Sequence, residues 1–329
     1  MWGSYFYTKI SMAVSRLKTN DTIFKRPTIR PWSVVVLVAS VVGLYFLLPQ
    51  LGQLRGTVAV LRRAEWWWVA GGLVMTAFGF LAAGYTQYMA GNAQGSLKKV
   101  NILQLTGAFI NHFLPFNLGS VSLTARYYNK IGEKQADAIT TSILPTVFGI
   151  VTTVSMVAIV SPLTLQHIVQ HAYKGSVWLL LVAAVVVVGI FIAIPAIRQR
   201  IHGFARDMIR GFRRISLWPQ LPALVFGSLA LTFVSTLALI FSAYAVHASI
   251  NFVDAFTLYV TSSLVSNFAP TPGGIGATEA FLALGLTSVG MDLPTAAAVT
   301  LIFRFVSFWV PIIPGFLALR SVNRFLREA

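Results

Sequence analysis

The chain of 329 residues contains no cysteine and few acidic residues. Without cysteine it can form no disulfide, hold no thiolate metal site and use no thiol in catalysis. Its five histidines never fall in a tight cluster with carboxylates, so we expect no metal site. Only 10% of the residues are charged, far below the share in soluble domains. These shortages exclude a disulfide scaffold, thiol chemistry and a metal centre of clustered histidines.

Signatures of enzymes are missing as well. There is no P-loop, no dinucleotide-binding glycine pattern behind a strand and no GxSxG nucleophile elbow. A membrane glycosyl- or phosphotransferase would need acidic residues that bind a metal at a water-facing loop, but Asp21, Asp207 and Asp254 stand singly. We therefore expect neither an enzyme nor a cofactor.

Apolar residues dominate the chain, at 56% of the sequence, with a mean hydropathy of +0.74. These values predict an all-α polytopic membrane protein. Lys and Arg number 25 against 9 Asp and Glu. We interpret this excess as basic loops on the cytoplasmic side, close to anionic lipid. Nucleic-acid binding is not expected, because no basic segment has the soluble fold that such recognition needs.

Six apolar segments are long enough to cross a bilayer, namely 33–49, 66–90, 138–160, 176–197, 221–246 and 294–319. The tail 1–32 is basic and lacks a signal-peptide cleavage pattern, so it is predicted to stay in the cytoplasm. The loop 198–219 is the most basic and should also lie inside, together with the tail 320–329. The loop 161–175 should lie outside.

Two further segments, 101–136 and 254–290, are interrupted by proline and glycine. Their tips are predicted at Pro115, Gly119, Pro270, Pro272, Gly273, Gly274 and Gly276. Proline removes a backbone donor and glycine lets the chain bend, so neither segment can be a continuous spanning helix. Broken backbone is tolerated at membrane depth only where protein or a wet cavity satisfies it. We therefore predict two re-entrant hairpins, the first opening inside and the second outside.

The two hairpins belong to an internal repeat. A shift of 155 residues places Pro115 on Pro270, Gly119 on Gly274 and Asp137 on Asp292. The repeats, 33–160 and 176–319, would each hold three crossings and one hairpin. Because three is odd, the second copy should be inverted, and its substrate site should lie near the midplane between the repeats.

Several polar residues in or near the hairpins are candidates for substrate binding. They are Glu279, Arg304, Arg126, Asn111, Asn117, Asn267 and Thr271. Arg304 is the most deeply placed cation and should pair with Glu279, which could otherwise cap a half-helix. Arg126 could bind substrate or reach the inner interface. For the three asparagines and the threonine, satisfying freed backbone groups is favoured over contacting a headgroup.

The second hairpin and the helix after it carry the most distinctive residues, which are the segment 270–279, Arg304, Pro311, Pro314 and Gly315. This pattern resembles the flippase-like transmembrane region of the lysylphosphatidylglycerol synthases, the multiple peptide resistance factor family. The first half is similar at 111–115, Gly119 and Arg126, although 117–119 departs from the more basic turn that is common there.

The resemblance implies a prokaryotic cell membrane protein that moves a phospholipid, typically an aminoacylated phosphatidylglycerol, to the outer leaflet. The expected partners are membrane phospholipids, either anionic or aminoacylated, so another glycerophospholipid is also a candidate substrate. The soluble aminoacyl-transferase domain of the full synthases is missing from this sequence, so lipid synthesis is expected of a separate enzyme. We expect a headgroup to enter between the hairpins, with its phosphate on Arg126 or Arg304. Glu279 would balance the arginines or meet a cationic headgroup.

Two alternatives stay open at this point. One is a membrane-embedded transferase or accessory subunit that acts on polyprenyl-linked sugars, and the other is a small-solute transporter. A homo-oligomer is compatible with the flippase and with both alternatives.

Overall fold

The computed structural model describes residues 54–114, 118–171, 220–268 and 271–328, which all belong to one compact unit of the chain. Within these ranges the chain is helical and contains no strand. The predicted crossings 33–49 and 176–197, the basic loop 198–219 and the tail 1–32 lie outside the described residues, as do the tip residues Pro115, Asn117 and Pro270.

The first half of the described chain contains five helices, α1 (Leu54–Arg62), α2 (Trp66–Ala90), α3 (Leu97–Asn111), α4 (Leu118–Lys130) and α5 (Gln135–His171). The second half contains α6 (Leu221–Tyr244), α7 (Phe252–Phe268), α8 (Ala277–Ser288), α9 (Leu293–Arg304) and α10 (Ile312–Glu328). A single 3₁₀ turn, Pro272–Gly274, stands between α7 and α8, and a π-helical turn, Phe305–Trp309, joins α9 to α10.

Four described segments are long and apolar enough to cross a membrane: Trp66–Ala90, Gln135–Met156, Leu221–Tyr244 and Leu293–Leu326. They correspond to four of the six predicted crossings. The chain is therefore a helical membrane protein. The predicted bounds of α2 and α6 are accurate because their apolar runs have polar residues at both ends.

Two helices extend beyond their predicted ends. Helix α5 continues to His171, through most of the predicted outer loop. Residues 161–171 contain no glycine that would end the helix, and Pro162 does not interrupt it. Helix α10 continues to Glu328, through the predicted tail 320–329. There Val322, Phe325 and Leu326 are buried against Val100 and Leu103. Arg320 and Arg324 of that predicted tail lie on the other, exposed face of an amphipathic helix.

Both broken segments form antiparallel helical hairpins, α3 with α4 and α7 with α8. In the first, Gly107 lies so close to Ser120 that an added Cβ would be 2.6 Å from the serine Cα. In the second, Gly285 lies directly against the side chain of Leu258. Small residues at these points allow the two backbones of each hairpin to approach closely.

The two halves of the chain meet along α2 and α6. Gly71 lies against Phe241, Gly79 against Val234 and Thr86 against Gly227, so the two helices run antiparallel along their length. Several other helix contacts come in matched pairs: α2–α3 with α6–α7, α3–α4 with α7–α8, α4–α5 with α8–α9, and α5–α7 with α10–α3. Both halves therefore share one packing pattern, and their equivalent helices point in opposite directions where they meet.

Candidate functional site

The tip of the second hairpin is a sharp backbone turn built from glycine. Gly273, Gly274 and Gly276 have φ angles of 60°, 68° and 87°, a region that other residues rarely adopt. The turn ends α7 and starts α8 within a few residues, and it leaves the backbone N–H groups of the first turn of α8 without helical partners.

Glu279 satisfies one of these donors and also binds a cation. Its Oε2 accepts a hydrogen bond of 2.7 Å from the backbone N–H of Gly276. Its Oε1 accepts a hydrogen bond of 2.6 Å from Nε of Arg304. The side chains of Arg304 and Glu279 are only 8% and 12% exposed, so the ion pair is largely removed from solvent. The predicted pairing is confirmed, and Glu279 is a helix cap as well as an ion-pair partner.

Arg304, the last residue of α9, has further contacts with the tip. Its Nη2 donates to the carbonyl oxygen of Gly273 at 3.2 Å. Its guanidinium carbon lies 3.9 Å from the centre of the Phe308 ring, a cation–π distance. Because Gly273 also lies directly against the Phe308 ring, these groups form one packed cluster. We call Gly273, Glu279, Arg304 and Phe308 the tip cluster.

The position of Phe308 depends on the π-helical turn, which the sequence analysis missed. Val310 donates its backbone N–H to Phe305 at 2.9 Å, a bond that spans five residues instead of four. The signal for this turn is Pro311, whose ring would collide with the carbonyl of Ser307 in a regular α-helix. Widening the turn relieves that clash, and π turns are frequent at functional sites.

His112 connects the first hairpin to the tip cluster, and it too was missed. Its Nδ1 lies 2.7 Å from the carbonyl oxygen of Ala108, and its Nε2 lies 3.1 Å from the carbonyl oxygen of Phe308. The imidazole and Phe308 ring centres are 3.9 Å apart. Nothing in the sequence pairs these residues, and the only hint is that His112 lies just before Pro115. The described ends of both hairpins therefore meet at Phe308.

Asn111 stabilises the start of α4. Its Oδ1 accepts the backbone N–H of Gly119 at 2.9 Å and of Ser120 at 3.2 Å, and its Nδ2 donates to the Ser120 hydroxyl at 3.2 Å. Its side chain thus satisfies freed backbone groups, the role that the sequence favoured. In the second hairpin, Asn267 is half-buried near the end of α7, and Thr271 is buried with no hydrogen-bond partner for its hydroxyl in the described part of the chain.

Arg126 lies apart from the tip cluster. By helix rise it is about 10 Å from Gly119 along α4. Its neighbours anchor the far end of α4: the Tyr127 hydroxyl accepts the N–H of Ser96, and the Tyr128 hydroxyl donates to the carbonyl of Gln87. Arg126 itself is half-buried, and no described residue forms an ion pair or hydrogen bond with its side chain.

Comparison with known proteins places this arrangement among membrane proteins. A model of the family described as "Lysylphosphatidylglycerol synthase TM region" matches residues 32–315. The chain is also similar to "UPF0104 membrane protein MJ1078" of Methanocaldococcus jannaschii, at 22% identity over 223 residues, 66% of this chain and 95% of that protein. It is 27% identical to "UPF0104 membrane protein PH1989" of Pyrococcus horikoshii over 127 residues, 38% of either chain. The family match contains every residue of the tip cluster.

Proposed function

Because the chain belongs to the lysylphosphatidylglycerol synthase transmembrane-region family, we propose that it is a transporter that moves phospholipid headgroups between leaflets. The observation that carries this proposal is the buried ion pair between Glu279 and Arg304 at a broken helix tip. A charge pair inside a membrane protein is expensive to bury and adds little to stability compared with apolar packing. Ionisable residues at such depth are usually part of a transport or binding site.

The proposed architecture is an inverted repeat with six crossings and two hairpins that enter from opposite faces of the cell membrane. The antiparallel packing of α2 on α6 supports it, as do the matched helix contacts of the two halves. Such repeats place their substrate between the halves, near the midplane. Both termini would lie in the cytoplasm, as the distribution of basic residues indicates.

In the proposed mechanism the headgroup phosphate first meets Arg126, whose charge no described residue neutralises. Guanidinium groups bind phosphate oxygens with two parallel hydrogen bonds, which suits this step. The headgroup then passes to the tip cluster, where Arg304 exchanges the Glu279 carboxylate for the phosphate. The acyl tails remain in lipid throughout, so only the polar headgroup needs a protein path.

Reconstitution into liposomes tests the proposal. Phosphatidylglycerol with a fluorescent acyl chain is placed in both leaflets, and dithionite quenches the outer pool. Vesicles that contain the protein should lose nearly all fluorescence, whereas protein-free vesicles should lose about half. Glu279→Gln keeps the side-chain shape and removes the charge, so it should fold and transport slowly.

The matched control is Glu65→Gln, because Glu65 pairs with His247 at an exposed position, 3.5 Å apart. This variant should transport like the parent. A folded Glu279→Gln protein that transports at the parent rate would contradict the proposed role of the ion pair.

A further inference from the structure

We propose that His112 is a proton-binding site, and that uptake of a proton closes the link between the first hairpin and the tip cluster. The effect on transport rests on the proposed function, because a closed link should slow the passage of a headgroup between the hairpins. The proton site itself does not depend on that function. It follows from the two contacts of one imidazole ring.

Both ring nitrogens of His112 face backbone carbonyl oxygens. Nδ1 lies 2.7 Å from the oxygen of Ala108 in α3, and Nε2 lies 3.1 Å from the oxygen of Phe308 in the π-helical turn. A carbonyl oxygen only accepts hydrogen bonds, and a neutral imidazole has one N–H and one lone pair. In the neutral ring, one of the two contacts therefore sets a lone pair against an oxygen. The imidazolium has two N–H groups and makes both contacts hydrogen bonds.

The contact within α3 is the one that the neutral ring keeps. The backbone N–H of His112 bonds to the carbonyl of Phe109, so the carbonyl of Ala108 lacks its usual helical donor. Nδ1 reaches this carbonyl within its own helix, wherever the tip cluster lies. The contact with Phe308 is longer and depends on how the two halves are placed. The added proton therefore belongs on Nε2, where it turns an unfavourable contact into a charge-assisted hydrogen bond.

The charged groups around the ring are few. Arg304 contacts the same Phe308 ring, and its positive charge opposes a charged imidazole. The Glu279 carboxylate balances Arg304, so the imidazolium faces a neutral pair. Helices α2 and α6, which pack against the π-helical turn, contain no charged residue. On α3, α4 and α10, the charged residues nearest the tips are at least about 10 Å away along each helix, namely Lys99, Arg126 and Arg320.

Solid-state NMR of the full chain in liposomes tests the proton site directly. Phe308–Trp309 is the only Phe–Trp pair in the sequence, so ¹³C-carbonyl phenylalanine combined with ¹⁵N-tryptophan isolates the Phe308 carbonyl signal. We expect this signal to shift between about pH 8 and pH 5, the range in which imidazole groups titrate. Both ring nitrogens of ¹⁵N-labelled His112 should become protonated over the same range. A Phe308 signal that does not change with pH would overturn the inference.

Two variants show which residue causes the shift. His112→Phe keeps a ring but cannot take up a proton, so its Phe308 signal should not titrate. His247→Gln is the matched control, because His247 is an exposed histidine paired with Glu65, and its Phe308 signal should titrate like that of the parent. A shift that persists in His112→Phe would overturn the assignment to His112. The parent alone already decides whether the Phe308 carbonyl titrates, even if a variant fails to fold.

Transport at two pH values tests the consequence of closing the link. Phosphatidylglycerol with a fluorescent acyl chain is extracted from the outer leaflet by albumin, in liposomes held at about pH 7.5 or about pH 5.5 on both sides. The parent and His247→Gln should transport about tenfold more slowly at the acidic value, because a charge-assisted hydrogen bond has to break first. His112→Phe should transport equally at both values. Unchanged or faster transport by the parent in acid, or equal slowing of His112→Phe, would overturn the link.

The two measurements separate this inference from the proposed function. A Phe308 carbonyl that titrates in a protein that moves no lipid would sustain the proton site and refute the flippase. Lipid transport by a protein whose Phe308 signal does not titrate would sustain the flippase and refute the proton site.

Discussion

The imidazole Nε2 of His112 lies 3.1 Å from the backbone carbonyl oxygen of Phe308, which joins the end of the first hairpin's α3 to the π-helical turn beside the second tip. The ring of Phe308 also lies beneath the guanidinium of Arg304. A displacement of either hairpin must therefore change the surroundings of Arg304. This connection provides a physical route by which the two halves of the chain can act together.

Replacing His112 should weaken this connection. We expect His112→Ala to lower the free energy of unfolding by about 1–3 kcal/mol, because it removes the ring packed on Phe308 and the N–H that can serve one of the two carbonyl oxygens. His112→Phe keeps a ring against Phe308 and should fall between the parent and the alanine variant. Unfolding by sodium dodecyl sulfate in mixed micelles, followed by circular dichroism, gives these values. An alanine variant as stable as the parent would show that the contact adds nothing.

The ion pair of Glu279 and Arg304 should give a large coupling energy in a double-mutant cycle. Each of Glu279→Gln and Arg304→Gln should cost about 3–5 kcal/mol, because each leaves a buried group without its partner. The double variant should cost less than the sum of the two single variants. The exposed pair of Glu65 and His247 is the control, and its coupling should stay below about 1 kcal/mol. If the double variant lost as much unfolding free energy as the two single variants together, Glu279 and Arg304 would not be coupled.

Gly273 should tolerate no side chain, for two separate reasons. Its φ of 60° disfavours a Cβ by about 1–2 kcal/mol, and the added atom would overlap the ring of Phe308. Gly290 has a φ of 100° with nothing within 4 Å of its Cβ position, so Gly290→Ala measures the backbone part alone. We expect Gly273→Ala to be the more destabilising by at least about 1 kcal/mol in the same unfolding assay. If Gly273→Ala and Gly290→Ala lowered the free energy of unfolding equally, the ring of Phe308 would be free to move away from the added Cβ.

Glu133, in the loop between α4 and α5, should make stability depend on pH. Burial raises the pKa of this carboxyl above its ordinary value of 4.5; a hydrogen bond from Thr141 opposes the rise, and nearby Asp137 adds to it. A raised pKa favours the folded state at low pH, and this contribution is lost as pH rises through the folded value. Glu133→Gln should therefore be more stable than the parent at neutral pH and equal to it below pH 4.5. If Glu133→Gln were less stable than the parent at neutral pH, the folded protein would stabilise the charged carboxylate of Glu133, which contradicts the prediction.

The cysteine-free background makes the proposed topology directly testable. Single cysteines at Gln94 and Lys134 should react with a membrane-impermeant maleimide only after the membrane is opened. Cysteines at Arg63 and Asn251 should react in intact cells. All four positions are exposed and lie in turns outside the described helices, so accessibility to the reagent should depend on the side of the membrane. Labelling of Gln94 and Asn251, which have nearly equivalent positions in the two halves, from the same side would refute the inverted arrangement.

Much of the fold followed from local sequence. The apolar runs of α2 and α6 predicted membrane helices, and the prolines and glycines around 115–119 and 270–276 predicted where two hairpins would turn. These features act through the backbone of the residue itself or of its immediate neighbours, so the sequence alone reveals them. The pairing of Glu279 with Arg304 could also be predicted, because a buried cation needs a counter-charge and the chain offers few.

Other features were decided only by tertiary packing. The extension of α10 depends on Val322, Phe325 and Leu326 finding a buried surface on α3 and α4, which the charged residues between them conceal in the sequence. The contact of His112 with Phe308 joins residues that are distant in the chain, and it requires the π-helical turn to aim the ring. The separation of Arg126 from the tip cluster follows from its position along α4. The sequence thus determined which charged and backbone groups need an ion-pair or hydrogen-bond partner. The packing of the helices determined which residue is that partner, because this depends on distances in space that no local sequence pattern contains.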